Sequence, residues 1–189
     1  MNALHPPSSQ GASNGTPTAK RGVVVTAIEC AWALLEQVPD PEIPVVSIRE
    51  LGILREINEH DGALQIVITP TYSGCPAMGQ IEDDVRAALA ACDIDARIVT
   101  RLAPAWTTDW ITPEAKEKLR VFGIAPPHVT ANDNIVRFAR PFANRELDVA
   151  CPHCGSTNTT ETSHFSSTAC KALYKCLDCL EPFDYFKPY

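Results

Sequence analysis

Apolar positions recur along this chain with two different periods. From Thr26 to Leu35 the spacing is helical: Ile28, Trp32 and Leu35 share one face, with Ala31 and Leu34 beside them. Thr26 and Glu29 stand in the T-x-x-E relation of a capping box, which marks the start of that helix. Pro39, Pro41 and Pro44 forbid its continuation, because proline lacks the N–H that a helix needs. The period then falls to two. Ile53, Arg55 and Ile57 predict one strand, Leu64, Ile66 and Ile68 a second, and His60-Asp61-Gly62 a hairpin turn between them. After the loop Thr69–Gly74 the helical period returns. Ile81, Val85 and Leu89 face a core, Glu82, Asp83 and Arg86 face water, and Pro76 suits the first turn. A third strand is expected at Ala96–Leu102, and a third helix is capped by Thr112-Pro113-Glu114 and ended by Gly123. The order predicts a compact α+β domain, α-β-β-α-β-α, over residues 23–123.

Composition adds the flanks. Residues 1–22 hold three Pro, three Ser and three Gly with few large apolar side chains, and read as a disordered tail. Residues 124–148 show no clear period and read as a linker. No stretch approaches the roughly 20 apolar residues of a membrane span, and the N-terminus lacks the basic start and apolar run of a secretory signal. A cytoplasmic protein is expected, with its eight cysteines as thiols or metal ligands. The formal net charge of −7 gives no general attraction to nucleic acid or to anionic lipid.

Four of those cysteines carry the strongest local signal. Cys151 and Cys154 form one C-x2-C pair and Cys176 and Cys179 another, a pattern for a four-cysteine metal site in a small C-terminal ribbon at 149–189. A two-residue gap lets a tight turn aim two thiolates at one ion. About forty residues build too small a core alone, so the metal supplies folding energy. Four thiolates suit a structural zinc, and they suit an Fe–S cluster as well. Cys170 is a further thiol in this module, either a small buried hydrophobe or a substitute ligand or reactive thiol, and His153 and His164 are weaker ligand candidates. From Asp148 to Tyr189 there are five acidic and three basic residues, so the ribbon lacks the basic stripe of a nucleic-acid reader.

Two loops of the α+β domain carry further chemistry. Cys75 sits between a strand and a helix, where the helix dipole favours a thiolate and a lowered pKa. Asp40 and Glu42 lie in the rigid proline loop. A thiolate with carboxylates nearby suits transient binding of a soft metal or a cluster. A packed thiol and ordinary turn carboxylates are the alternative.

These segments also carry a resemblance. Residues 26–102, with DPEIP, ELGI at Glu50–Ile53 and T-x5-CP at Thr69–Pro76, resemble the SufT-type family of iron–sulfur assembly factors. The stretches APAWTTDWI at Ala103–Ile111, KLRVFGIAPP, CPHCGS and FSSTACKALYKCLDCLEPFDYFKPY resemble the PaaD family of bacterial phenylacetate degradation, over about residues 24–189. The resemblance implies an accessory or maturation protein of the multicomponent phenylacetyl-CoA 1,2-epoxidase, assisting iron or Fe–S assembly without turnover of its own. The alternative it implies is an integral subunit of the epoxidase, acting in electron transfer or catalysis. Expected partners are the epoxidase components and the Fe–S assembly machinery, not nucleic acid or membrane. Expected cofactors are a structural zinc and a transient Fe–S cluster or iron. The resemblance carries Cys75 over as the family's reactive or cluster-contacting cysteine, and Asp40 and Glu42 as its acidic motif. Ser166 stands where the family leads one to expect Gly.

Overall fold

The computed structural model describes residues 26–128 and 149–189, so the expected tail at 1–22 and most of the expected linker lie outside the described residues. Helix α1 spans Ala27–Leu35. Its capping box is complete: the Thr26 hydroxyl accepts from the Glu29 N–H at 3.2 Å, and the Thr26 N–H donates to Glu29 Oε2 at 2.8 Å. Strands β1 (Leu54–His60) and β2 (Ala63–Ile68) pair antiparallel. Asp61 and Gly62 both take positive φ at the turn, which two-residue hairpins favour because that twist matches the strands. Helix α2 (Met78–Ala90) then crosses over to β3 (Ala96–Thr100), which pairs parallel with β2. Helix α3 (Pro113–Phe122) starts on the Thr112 hydroxyl, which accepts from Ala115 N–H at 3.1 Å, and stops at Gly123 with φ 95°.

This is the expected α-β-β-α-β-α order, with three local differences. Helix α2 starts at Met78 with Ala77 as its cap, so Pro76 stands just before the helix instead of in its first turn. Strand β3 ends at Thr100, and Leu102 is exposed. Residues Ile124–Ala125, at the head of the expected linker, form a short strand, β4. Their partner lies far along the chain, and a pair of residues is too short to show a period.

The core of the first domain takes Ile81, Val85 and Leu89 from α2 and Ala115 and Leu119 from α3. It also takes Ile43, Val46, Ile48, Leu51 and Ile53 from the irregular segment after α1. That segment is held by backbone bonds such as Asp40 N–H to Val46 C=O at 2.9 Å and Ile48 N–H to Val38 C=O at 3.0 Å. Its buried backbone is thereby satisfied without a strand.

The ribbon consists of β5 (Thr159–Ser163), β6 (Lys171–Cys176) and β7 (Pro182–Phe186). With β4 they form one sheet in the order β4-β7-β6-β5. The first domain therefore lends a strand to the second, and the second returns side chains to the first. Phe186 and Cys170 belong to the core of the α+β domain. Trp106 lies against Phe186 at 5.9 Å and Tyr189 at 6.2 Å between ring centroids, while its indole N–H donates to the Leu51 carbonyl at 3.0 Å. The Thr108 N–H donates to the Tyr189 carbonyl at 3.3 Å. The APAWTTDWI stretch is thus the seam on which the ribbon docks.

Candidate metal sites

The ribbon brings its four cysteines to one point. Gly155 takes φ 77° just after the first pair, and Leu180 takes φ 67° just after the second, so each C-x2-C turn closes tightly. Cys151 Sγ lies 3.7 Å from Cys179 Sγ, and Cys154 Sγ lies 3.6 Å from Cys176 Sγ. All four sulfurs fall within 4.8 Å of one another. The Asp178 carboxylate ties the two turns together, accepting from the Ser156 hydroxyl and from the Asn158 amide at 2.7 Å. The Cys176 thiol is held down to about 7, first by the Cys179 N–H that points at its sulfur at 3.4 Å, then by the Asp178 N–H. A sulfur that already receives peptide N–H groups is prepared to carry negative charge toward a cation. The histidines stay apart from this cluster. His153 packs on Gly123, and His164 pairs with Glu161 at 3.2 Å.

A second cluster lies where the domains meet. A cavity of about 20 Å³ is lined by Asp40, Glu42, Thr71, Cys75, Thr168 and Cys170, with Phe186 as part of its wall. Asp40 is 5% exposed, and its Oδ1 accepts from both the Glu42 and Ile43 N–H groups at 2.9 Å. The proline loop folds this way because an Asp side chain closes its own turn. Burial raises the Asp40 pKa, against those two N–H groups. Glu42 stands exposed beside the cavity. Cys75 is half-buried in the turn before α2. Burial pushes its thiol pKa up, the nearby Cys170 and Asp40 add to the rise, and the Ala77 N–H and Thr71 hydroxyl oppose it.

The expectation of a lowered Cys75 pKa is therefore overturned. The helix begins three residues after Cys75, so the dipole acts from a distance, while burial acts directly. Cys75, Asp40 and Glu42 line the same cavity, but their ligand atoms do not all come within 4.8 Å of one another. Sequence reasoning does not foresee Cys170 there. It is 8% exposed, arrives from the turn before β6, and its sulfur lies 3.1 Å from the Thr168 hydroxyl. The short motif Thr168-Ala169-Cys170-Lys171, polar residues flanking a cysteine outside the C-x2-C pairs, is the one signal of it in the sequence. Ser166, in place of the expected glycine, bonds through its hydroxyl to Asp184, and its N–H donates to the Lys171 carbonyl at 3.0 Å. Its side chain thus helps hold the turn that presents Cys170.

Fold and sites together define a two-domain protein: an α+β domain with a thiol–carboxylate cavity, joined to a metal-binding ribbon of four cysteines. Residues 28–98 match the family model described as iron–sulfur cluster assembly protein, and residues 141–187 match the PaaD zinc beta ribbon domain. The chain belongs to the PaaD family. It is 48% identical over 82% of its length to a protein of Escherichia coli (strain K12) named as a putative subunit of 1,2-phenylacetyl-CoA epoxidase, covering 90% of that protein. It is 38% identical over 46% of its length to the Fe-S protein maturation auxiliary factor YitW of Bacillus subtilis (strain 168), covering 87% of it. Among solved structures, a domain of unknown function, DUF59, from Bacillus anthracis is 29% identical, with a TM-score of 0.45 over 49% of this chain and 91% of that one.

Proposed function

We propose that this protein is a maturation factor that supplies iron or an Fe–S cluster to a phenylacetyl-CoA epoxidase in phenylacetate catabolism, working in the cytoplasm without catalysis of its own. The observation that carries the reading is the convergence of Cys75, Asp40 and Glu42 on one small cavity in the domain that matches the iron–sulfur assembly model. A thiol and carboxylates offer mixed soft and hard donors. Such donor types suit a borderline cation such as ferrous iron, and because their ligand atoms do not close to within 4.8 Å of one another, no complete cage holds it. The curated relatives fit this reading, one named for a phenylacetyl-CoA epoxidase and the other for Fe–S protein maturation.

In the same reading the ribbon holds one structural zinc. Zn–S bonds of about 2.3 Å make a tetrahedron with edges of about 3.8 Å. The sulfur separations of 3.6 and 3.7 Å, and the 4.8 Å limit on all four, support a single ion over a cluster that spreads its ligands over several irons. Four protein ligands leave no position for substrate, so the zinc's part is to hold the ribbon in shape.

The test is an epoxidase produced alongside a Cys75→Ala variant of this protein. The expected epoxidase is present in normal amount but poor in iron and correspondingly weak in activity. A fully metallated and fully active epoxidase would refute the role. A fully metallated but inactive one would favour the integral-subunit reading.

A further inference from the structure

The cavity between the domains is too small for the cargo that its donors suit. It measures about 20 Å³, room for one water-sized particle. No three ligand atoms among Cys75, Asp40, Glu42 and Cys170 lie within 4.8 Å of one another, so they do not share an ion in this form. What closes the cavity is the ribbon. Thr168, Cys170 and Phe186 make one wall, and every other lining residue belongs to the assembly domain. With that wall in place Asp40 is buried and Cys75 half-buried.

The seam that holds the wall is apolar and weakly locked. Trp106 packs against Phe186 and Tyr189. The hydrogen bonds across it are the two-residue pairing of β4 with β7 and those from the Thr108 N–H and hydroxyl to the Tyr189 carbonyl, at 3.3 and 3.5 Å. Among the described residues no ion pair crosses it. The ribbon itself is tied internally, by the pairing of β5, β6 and β7 and by four cysteines that all lie within it. Two units joined by such a seam separate at a lower cost than either unfolds.

Resting on the maturation reading, we propose that the ribbon is a cap on the assembly domain's donor groups. The docked form is the resting form. Iron or a cluster is taken up and handed on in a second form, in which the Thr168–Cys170 turn and Phe186 have lifted away from Cys75 and Asp40. Lifting removes one wall of the cavity and leaves Cys75, Asp40 and Glu42 facing solvent, where cargo larger than one atom has room. The zinc cysteines move together with the ribbon, so the cap opens without losing its metal.

The test follows two thiols of the unaltered, zinc-loaded chain. Cys75 and Cys170 are alkylated with iodoacetamide at rising urea concentrations below the unfolding transition, and each rate is read by mass spectrometry. Both rates should rise along one common slope, shallower than that of global unfolding, because lifting exposes the seam alone. A Cys75 rate that ignores urea while the Cys170 rate rises overturns the cap, and so do two rates that follow only the global slope. Phe186→Ala, its fold checked by zinc content and far-UV circular dichroism, should raise both rates at least ~10-fold. Produced alongside the epoxidase, folded Phe186→Ala should leave the epoxidase at least as rich in iron as the parent does, whereas Cys75→Ala leaves it iron-poor. If both variants leave it iron-poor, the cap is wrong and the maturation reading stands. If Cys75→Ala leaves it rich in iron, the maturation reading itself falls, whatever the labelling shows.

Discussion

Cutting Phe186 back to alanine tests whether the two domains share one core. Phe186 lies in β7 of the ribbon but is 1% exposed among the side chains of the α+β domain, against Trp106 and beside Cys170. Removing a buried phenyl ring loses its transfer free energy and leaves a cavity, together about 3–5 kcal/mol. The loss falls on the contact between the domains, so its main effect is on undocking of the ribbon. About 4 kcal/mol corresponds to a roughly thousand-fold rise in the undocked population. Cys170, only 8% exposed when docked, reports that population. Its rate of modification by a small alkylating reagent, read by mass spectrometry of the peptide that contains it, should rise by nearly the same factor when reclosing outpaces labelling. Urea unfolding followed through tryptophan fluorescence should show the matching loss, because Trp106 is in contact with the altered position. Phe165→Ala, at a position 61% exposed, is the control and should stay within about 0.5 kcal/mol. A Phe186→Ala chain that loses less than about 1 kcal/mol, with unchanged labelling of Cys170, would show that the ribbon and the assembly domain are independent.

Replacing Cys176 by serine should abolish stoichiometric zinc binding, read by metal analysis; it should also destabilise the α+β domain, since that domain's core takes Phe186 and Cys170 from the ribbon. Gly52→Ala should cost at least about 2 kcal/mol in urea titration: Gly52 has φ +71°, and a Cβ there would lie 2.6 Å from Trp110 Cβ and 2.9 Å from its carbonyl oxygen. The Glu50 pKa is lowered; burial is the largest influence and opposes the shift, but it is outweighed by Lys118, 2.6 Å away, together with Ser47. A lowered folded value stabilises the protein above the unfolded pKa near 4.5, and that contribution is lost as pH falls through the folded value. The stability gap between the parent and Glu50→Gln should accordingly be present at pH 7 and shrink as the pH drops below about 4.5. With a net charge of −7 the chain should form no salt-sensitive complex with DNA or RNA, and a submicromolar one in a filter or gel assay would contradict this.

What can be read from the sequence is local. The Thr26–Glu29 box, the Thr112-Pro113 start and the Gly123 stop each involve residues within a turn of one another, so spacing alone predicts them. The ribbon cysteines are legible for a similar reason, because each C-x2-C pair is set by one short turn. The rest depends on contacts between distant segments. Ile43, Val46, Ile48 and Leu51 are core residues with neither a helical nor a strand period, and only the surrounding backbone bonds explain their burial. Ile124–Ala125 is a strand because β7 lies beside it. The pKa of Cys75 runs against the sequence expectation because the helix start is a local feature, whereas its burial involves Cys170 and Phe186 from the other end of the chain.

The shared core also orders events during synthesis. Cys170 lies 95 positions after Cys75 in the chain, and Phe186 follows later still. At roughly 5–20 residues per second, a ribosome needs about 5–20 s to travel from the first cysteine to the second. From the point at which Thr100 is made, the nascent assembly domain has its three strands but still lacks the residues that close its cavity. Asp40 and Cys75 are then open to solvent on the side that Cys170 and Phe186 later cover. The newborn chain therefore passes through a form whose donor groups are more accessible than they are in the finished protein.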